Sequence, residues 1–133
     1  MAVIVTDQGF GPDDWTGCFA TPQTPAANAK GLDLASDARA EDVALDGVDL
    51  IRIDFPSFAD GRGFSIARAL RRLGYTGRLR AKGHVIADQY AMARRSGFDE
   101  VEIDQDLAKR QPEDQWLARA NWQEHDYRAR LRG

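Results

Sequence analysis

The sequence predicts an α/β fold of parallel βαβ units, arranged as an open sheet or a partial, half-TIM-barrel-like one, with a C-terminal helical tail. Three observations predict it. Short β-rich runs alternate with stretches whose apolar residues recur at helical spacing. Glycines stand where those helical stretches stop. Strands separated by helices of ten to fifteen residues need crossover connections, which makes them neighbours in a parallel sheet. The 133 residues, 43% of them hydrophobic, suffice for a single domain over 1–133. A chain of this size buries about two-thirds of the surface it exposes when unfolded.

Ala2 to Val5 is a β-branched run followed by turn formers and predicts an opening strand. Gly9 to Lys30 carries Gly, Pro, Asp, Asn and Thr around Trp15, Cys18 and Phe19, and reads as a long irregular loop. Gly31 to Gly47 places Leu32, Leu34, Val43 and Leu45 among acids, which fits either a short strand or a helical turn. Val48 to Phe55 is a strand stopped by Pro56. Ile66, Ala69, Leu70 and Leu73 then form a buried helical stripe, with Arg68, Arg71 and Arg72 on other faces and Gly74 at the helix end. Gly77 to Ala81 is the next strand, and Ile86 to Ser96 the next helix, with Ile86, Tyr90 and Ala93 on its stripe and Gly97 as its stop. Val101 to Ile103 is the last strand of this series.

The chain thus divides into a strand-and-loop region, 1–47, a βαβαβ core, 48–111, and a C-terminal helix, 112–133, opening at Pro112. Trp116, Ala120, Tyr127 and Leu131 fall near one side of that helix. Such a stripe packs either on the helices at 61–73 and 86–96 or on a second copy, and a homodimer is the expected association.

Lys and Arg number 18 against 21 Asp and Glu, a net charge of −3. That balance lacks the cationic surplus a nucleic-acid binder needs, so no nucleic-acid partner is expected. Cys18 is the single cysteine, and His84 and His125 are the two histidines. These exclude a disulfide scaffold and any four-coordinate zinc or iron–sulfur site within one subunit. The sequence has neither a c-type haem motif nor the glycine fingerprint of a flavin or nicotinamide domain, so the cofactor is unknown. The opening MAVIVTDQGF has no basic leader and no long apolar run, which points to a cytoplasmic protein without a membrane partner.

Three blocks carry a family resemblance. They are the run from Asp60-Gly61-Arg62-Gly63 through Arg71, then Leu79-Arg80-Ala81 with Gly83, Val85, Asp88 and Gln89, then Ser96-Gly97-Phe98-Asp99. Over residues 48–104 they resemble a bacterial family of unknown function, the domain of unknown function numbered nine hundred and thirty-four, whose members often carry an oxidoreductase label. Genes of that family commonly lie beside those for assimilatory sulfite reductase, so the resemblance implies a role in sulfite reduction without naming a chemical step. Where the family usually has Gly-Asp-Val, this chain has Gly83-His84-Val85, which leaves a catalytic carboxylate at that position without its residue.

Ligands of parallel α/β sheets bind at the carboxyl ends of the strands. That rim collects Asp54 and residues 57–63, then Arg80, Lys82 and His84, then Glu102 and Asp104. Gly61, Arg62, Gly63, Arg80, Lys82 and His84 form a candidate anion-binding set, because glycines let backbone N–H groups approach a ligand at a helix start and Arg62 adds a two-pronged donor. The bland reading stands beside it: Asp60 caps the helix, the glycines make its turn, and Arg80, Lys82 and His84 pair with Asp54, Glu102 and Asp104. Asp88 and Gln89 read as caps of the second helix. The run Asp99, Glu100, Glu102, Asp104 reads as ion-paired carboxylates, and no metal is expected. Ser57 has no base partner, Cys18 is either a reactive thiol or a small buried hydrophobe, and the catalytic residues are unknown. Two function classes follow: an accessory or adaptor protein working with sulfite reductase or its electron donor, or an oxidoreductase or small-anion-binding enzyme with its site at the strand ends. The first leads.

Overall fold

The computed structural model describes residues 2–21 and 30–122. Among these, β1 (Val3–Thr6), β2 (Gly9–Gly11), β3 (Phe19–Ala20), β4 (Gly31–Leu34), β5 (Leu50–Phe55), β6 (Arg78–Gly83) and β7 (Glu100–Ile103) form one open sheet in the order β2-β1-β7-β6-β5-β4-β3. The strands from β3 to β7 are mutually parallel, whereas β1 runs antiparallel to both β7 and β2. The helices are α1 (Arg62–Arg72), α2 (Tyr90–Ser96), α3 (Gln105–Arg110) and α4 (Glu113–Leu117).

The strands β3 to β7 follow one another across the sheet in chain order, so right-handed crossovers leave their helices on one face. The core shows that face. Ile51, Ile53 and Phe55 of β5, Leu79 and Ala81 of β6, and Val101 and Ile103 of β7 pack with Phe64, Ala67 and Leu70 of α1 and with Tyr90 and Ala93 of α2. Each large apolar side chain buried there contributes about 1.5–3 kcal/mol. Helix α1 approaches β5 so closely that a Cβ at Gly63 would lie 2.5 Å from the Phe55 ring. Helix α2 ends at Gly97, whose φ of +116° suits glycine, and Phe98 N–H closes the end on the Ala93 carbonyl at 3.0 Å.

The alternate residues of the same strands, Asp33, Arg52, Arg78, Arg80, Glu100 and Glu102, point to the other face. Parallel strands buried under helices on both sides are continuously apolar, so this alternation marks a face that the helices α1 and α2 do not cover. The segment between β2 and β3 lies over it, with Asp13 and Asp14 paired to Arg80 and Arg78, and the ring of Phe19 in β3 stands 3.8 Å from the Arg52 guanidinium.

Several expectations need correction. The stretch expected to be a loop from Gly9 to Lys30 contributes both β2 and β3, strands too short to show a period. The ambiguous region 31–47 holds a strand, β4, and also a 3₁₀ turn at Ala40–Asp42. Leu73 is 54% exposed instead of buried, because α1 ends before the side chain returns to the core. The second helix begins as a 3₁₀ turn, Ala87–Gln89, and α3 was not expected at all. Trp116 of α4 is 1% exposed and docks edge-on to Tyr90 within its own chain, its indole N–H donating to the Gln111 carbonyl at 2.9 Å. Tyr127 and Leu131 lie outside the described residues.

Candidate functional site at the polar face and the strand ends

Cross-strand register sets the site. Asp33 of β4 stands opposite Arg52 of β5, Arg52 opposite Arg80 of β6, and Arg80 opposite Glu100 of β7. Two guanidiniums side by side repel each other. Glu102 resolves this by accepting from both, at 3.2 Å from Arg52 Nη1 and 2.9 Å from Arg80 Nη1. Arg52 also forks onto Asp33 at 2.6 and 2.8 Å, and Arg78 holds both oxygens of Glu100 at 2.7 and 2.9 Å. Arg80 is the centre. It is 0% exposed and donates to Glu100 at 2.6 Å, Glu102 at 2.9 Å and Asp13 at 3.1 Å.

The electrostatics agree with the geometry. Burial alone would push the Arg80 guanidinium down, but the charge of Glu100 and the hydrogen bonds to Asp13, Glu100 and Glu102 outweigh it and raise its pKa. Burial likewise pushes the Asp13 carboxyl up, yet the Trp15 N–H and Arg80 hold it below the ordinary value. Each of the three nitrogens of the Arg80 guanidinium donates to a carboxylate of its own chain. The ladder therefore locks strands and the overlying segment together, and its central guanidinium is buried away from an external anion.

At the strand ends, Arg62 Nε and Nη2 donate to the two oxygens of Asp60 at 3.0 and 2.8 Å, and Nη2 also reaches Ser36 Oγ at 2.9 Å. The Arg62 N–H donates to the same carboxylate at 3.1 Å. These bonds hold Asp60 far below the usual carboxylate range. An internal carboxylate thus occupies the start of α1, where an external anion would bind. Gly61, the N-cap, has φ −92°, while Gly63 is committed to the Phe55 contact. Lys82 makes no ion pair among the described residues and, with Glu102 and Asp104, lines a cavity of about 320 Å³. His84 is exposed, with Nδ1 3.2 Å from the Phe55 carbonyl and its ring edge-on to Phe58. Asp104 caps α3 by accepting from Leu107 N–H at 2.7 Å, and Gln89 accepts from Ile86 N–H at 3.0 Å.

The rim thus brings Lys82 close to Glu102 and Asp104, withdraws Arg80 into the sheet, and ties Arg62 to Asp60. The ion-paired reading of Arg80 and of Glu100 and Glu102 holds, although Asp13 and Glu100 take the places expected for Asp54 and Asp104. Cys18 is exposed, so it is not a small buried hydrophobe. Burial raises the Tyr75 phenol to about 12, and burial with the Asp7 hydrogen bond raises Tyr90 further, so neither is a base near neutrality. Among the described residues, no group of three or more His, Cys, Asp or Glu side chains is placed to hold a metal ion, and no helix is long and apolar enough to cross a membrane. Asp13, Asp14, Asp33, Arg52 and Arg78 did not figure in the sequence reading of the site. The two-residue alternation of charge along β5, β6 and β7 was the available signal for the two arginines.

A family model described as "Bacterial protein of unknown function (DUF934)" matches residues 31–132. The chain belongs to that family. The family match includes the ladder from Asp33 to Glu102, whereas Asp13, Asp14 and Phe19 precede it. No curated protein and no solved structure matches the chain.

Proposed function

We propose that this family member is an accessory protein of assimilatory sulfite reduction that works by docking, with sulfite reductase or its electron donor as the partner. One observation carries the docking reading: the two guanidiniums of the candidate anion set, Arg62 and Arg80, are occupied by carboxylates of the same chain. The partner's identity rests on the family resemblance. Deleting the gene is expected to impair growth on sulfate or sulfite while growth on cysteine stays normal; equal growth on all three sources rejects the pathway. A stoichiometric flavin band in the absorption spectrum of the purified protein would overturn the docking reading in favour of an oxidoreductase.

The second reading, a small-oxyanion site, keeps Lys82 as a cation with no ion pair among the described residues. The carboxylates of Glu102 and Asp104 line the same cavity and oppose a negative ligand. Titration calorimetry with sulfite, sulfate and phosphate is expected to show no saturable binding below about 10 mM, equivalent to about 2.7 kcal/mol. Tighter binding that Lys82→Ala abolishes would restore the oxyanion site.

A further inference from the structure

On the face of α1 and α2 turned away from the sheet, Arg68, Arg71, Arg72, Arg95 and Met92 line a groove of about 520 Å³. Arg71 is consumed by structure: it donates to the Gly97, Tyr75 and Gly77 carbonyls and pairs with Asp99 at 3.0 Å. The other three are exposed and pair with no carboxylate among the described residues. Among the described residues, Arg68 Nη2 reaches Met92 Sδ at 3.3 Å and Arg95 reaches the Trp122 carbonyl at 3.1 Å. Met92 is 45% exposed between them.

Helix ends account for part of this charge, because cations are favoured in a last turn, where Arg71, Arg72 and Arg95 stand. Arg68 lies a turn earlier. Its i,i+4 neighbour is Arg72, a like charge that does nothing for the helix itself. A cationic groove with an exposed methionine, on a chain of net charge −3, is complementary to an acidic surface carrying an apolar side chain. Arginine and methionine are enriched at protein interfaces, and guanidiniums recognise carboxylates in two-pronged geometry.

We propose that this groove between α1 and α2 is the docking surface, and that its occupant is an acidic segment of a partner protein, with carboxylates on Arg68, Arg72 and Arg95 and an apolar residue against Met92. The inference rests on the docking reading above and gives it a surface. To test it, the ¹⁵N,¹³C-labelled full chain is titrated with a synthetic glutamate–leucine peptide about a dozen residues long. A lysine–leucine peptide and a single-stranded oligothymidylate serve as comparisons. The expected result is saturable binding of the acidic peptide, shifts of the Arg68 and Arg95 Nε–H and Met92 methyl signals, and affinity about tenfold weaker in the combined R68E, R72E and R95E variant.

Shifts located elsewhere in the wild-type chain overturn the proposal without requiring any variant to fold. Unchanged affinity in the variant overturns it too, and tighter binding of the oligonucleotide at the same arginines makes the groove a nucleic-acid surface instead. Purified sulfite reductase and its electron donor are then tested against the same proteins. Binding that survives charge reversal removes the groove and leaves the proposed function standing. A wild-type chain that binds the peptide but neither enzyme keeps the groove and removes the named partners.

Discussion

Replacing Arg80 by methionine keeps the side chain's length and removes its charge, leaving Glu100 and Glu102 buried beside a neutral group. Breaking a buried pair from one side costs about 3–5 kcal/mol, and Arg78 and Arg52 offset only part of it. Urea unfolding of Arg80→Met is expected to show a loss in that range, and adding Glu100→Gln and Glu102→Gln should recover much of it; a loss under about 1 kcal/mol would mean that the ladder is not the structural lock described. A second residue, Asp7 in the β1–β2 turn, ties the hairpin to α2. Burial pushes its carboxyl up, but hydrogen bonds from Tyr90, Arg94 and Trp122 and the charge of Arg94 hold it below its ordinary value of 3.8. A carboxyl depressed in the folded state binds its proton more readily once unfolded. Its contribution is therefore fully present above about pH 4 and is lost as pH falls through the lower folded value. The melting temperature is expected to fall below about pH 4, and to fall less steeply in Asp7→Asn. Parallel curves for the two proteins would remove Asp7 from the acid response.

At the scale of elements, the two glycines flanking Arg62 separate packing from ligand cradling. A Cβ at Gly63 meets the Phe55 ring, whereas one at Gly61 has nothing nearer than Phe64 at 3.8 Å. Gly63→Ala is expected to cost about 1–3 kcal/mol as α1 is pushed off β5, while Gly61→Ala costs under about 1 kcal/mol; similar losses at both sites would contradict the close approach. Helix α4 shows a different economy of structure. It buries Trp116 against Tyr90 and also brings Glu113 to the outer edge of the sheet, where its carboxylate accepts from Phe10 N–H at 2.7 Å. A paired edge is protected from adding a foreign strand. Trp116→Ala is expected to cost about 3–5 kcal/mol and to raise hydrogen exchange at Phe10, the second readout showing that α4 holds the edge.

For the whole molecule, the one-sided placement of α1 and α2 leaves two chemically distinct surfaces. One carries the charge ladder under the 12–18 segment, and the other carries the arginine groove. Self-association through the tail was the expectation for the Trp116 stripe, yet Trp116 is spent inside its own chain. Analytical ultracentrifugation at micromolar concentration is therefore expected to find a monomer, and truncation after Gln111 is expected to lower stability. A stable dimer of the intact chain that becomes a folded monomer on truncation would show that the tail serves a second copy.

The sequence alone determined the order of strand and helix from β5 to β7. Alternation at two residues, recurrence at three and four, and glycine stops are local properties that survive without a partner. It also made the parallel sheet legible, since helices of that length leave few other connections. Only the tertiary structure decided which charges meet. Arg80 finds Asp13 across 67 residues of chain, and β1 pairs with β7 across nearly the whole described sequence, so spacing along the chain says nothing about either contact. The same holds for β2 and β3, for α3, and for where the helix expected over 112–133 ends, since α4 covers Glu113–Leu117 and the described residues after it are turns. Elements of two to six residues are shorter than the window in which a period can be read, and they form because the sheet edge, the ladder and the Tyr90 ring supply partners that the local sequence does not contain.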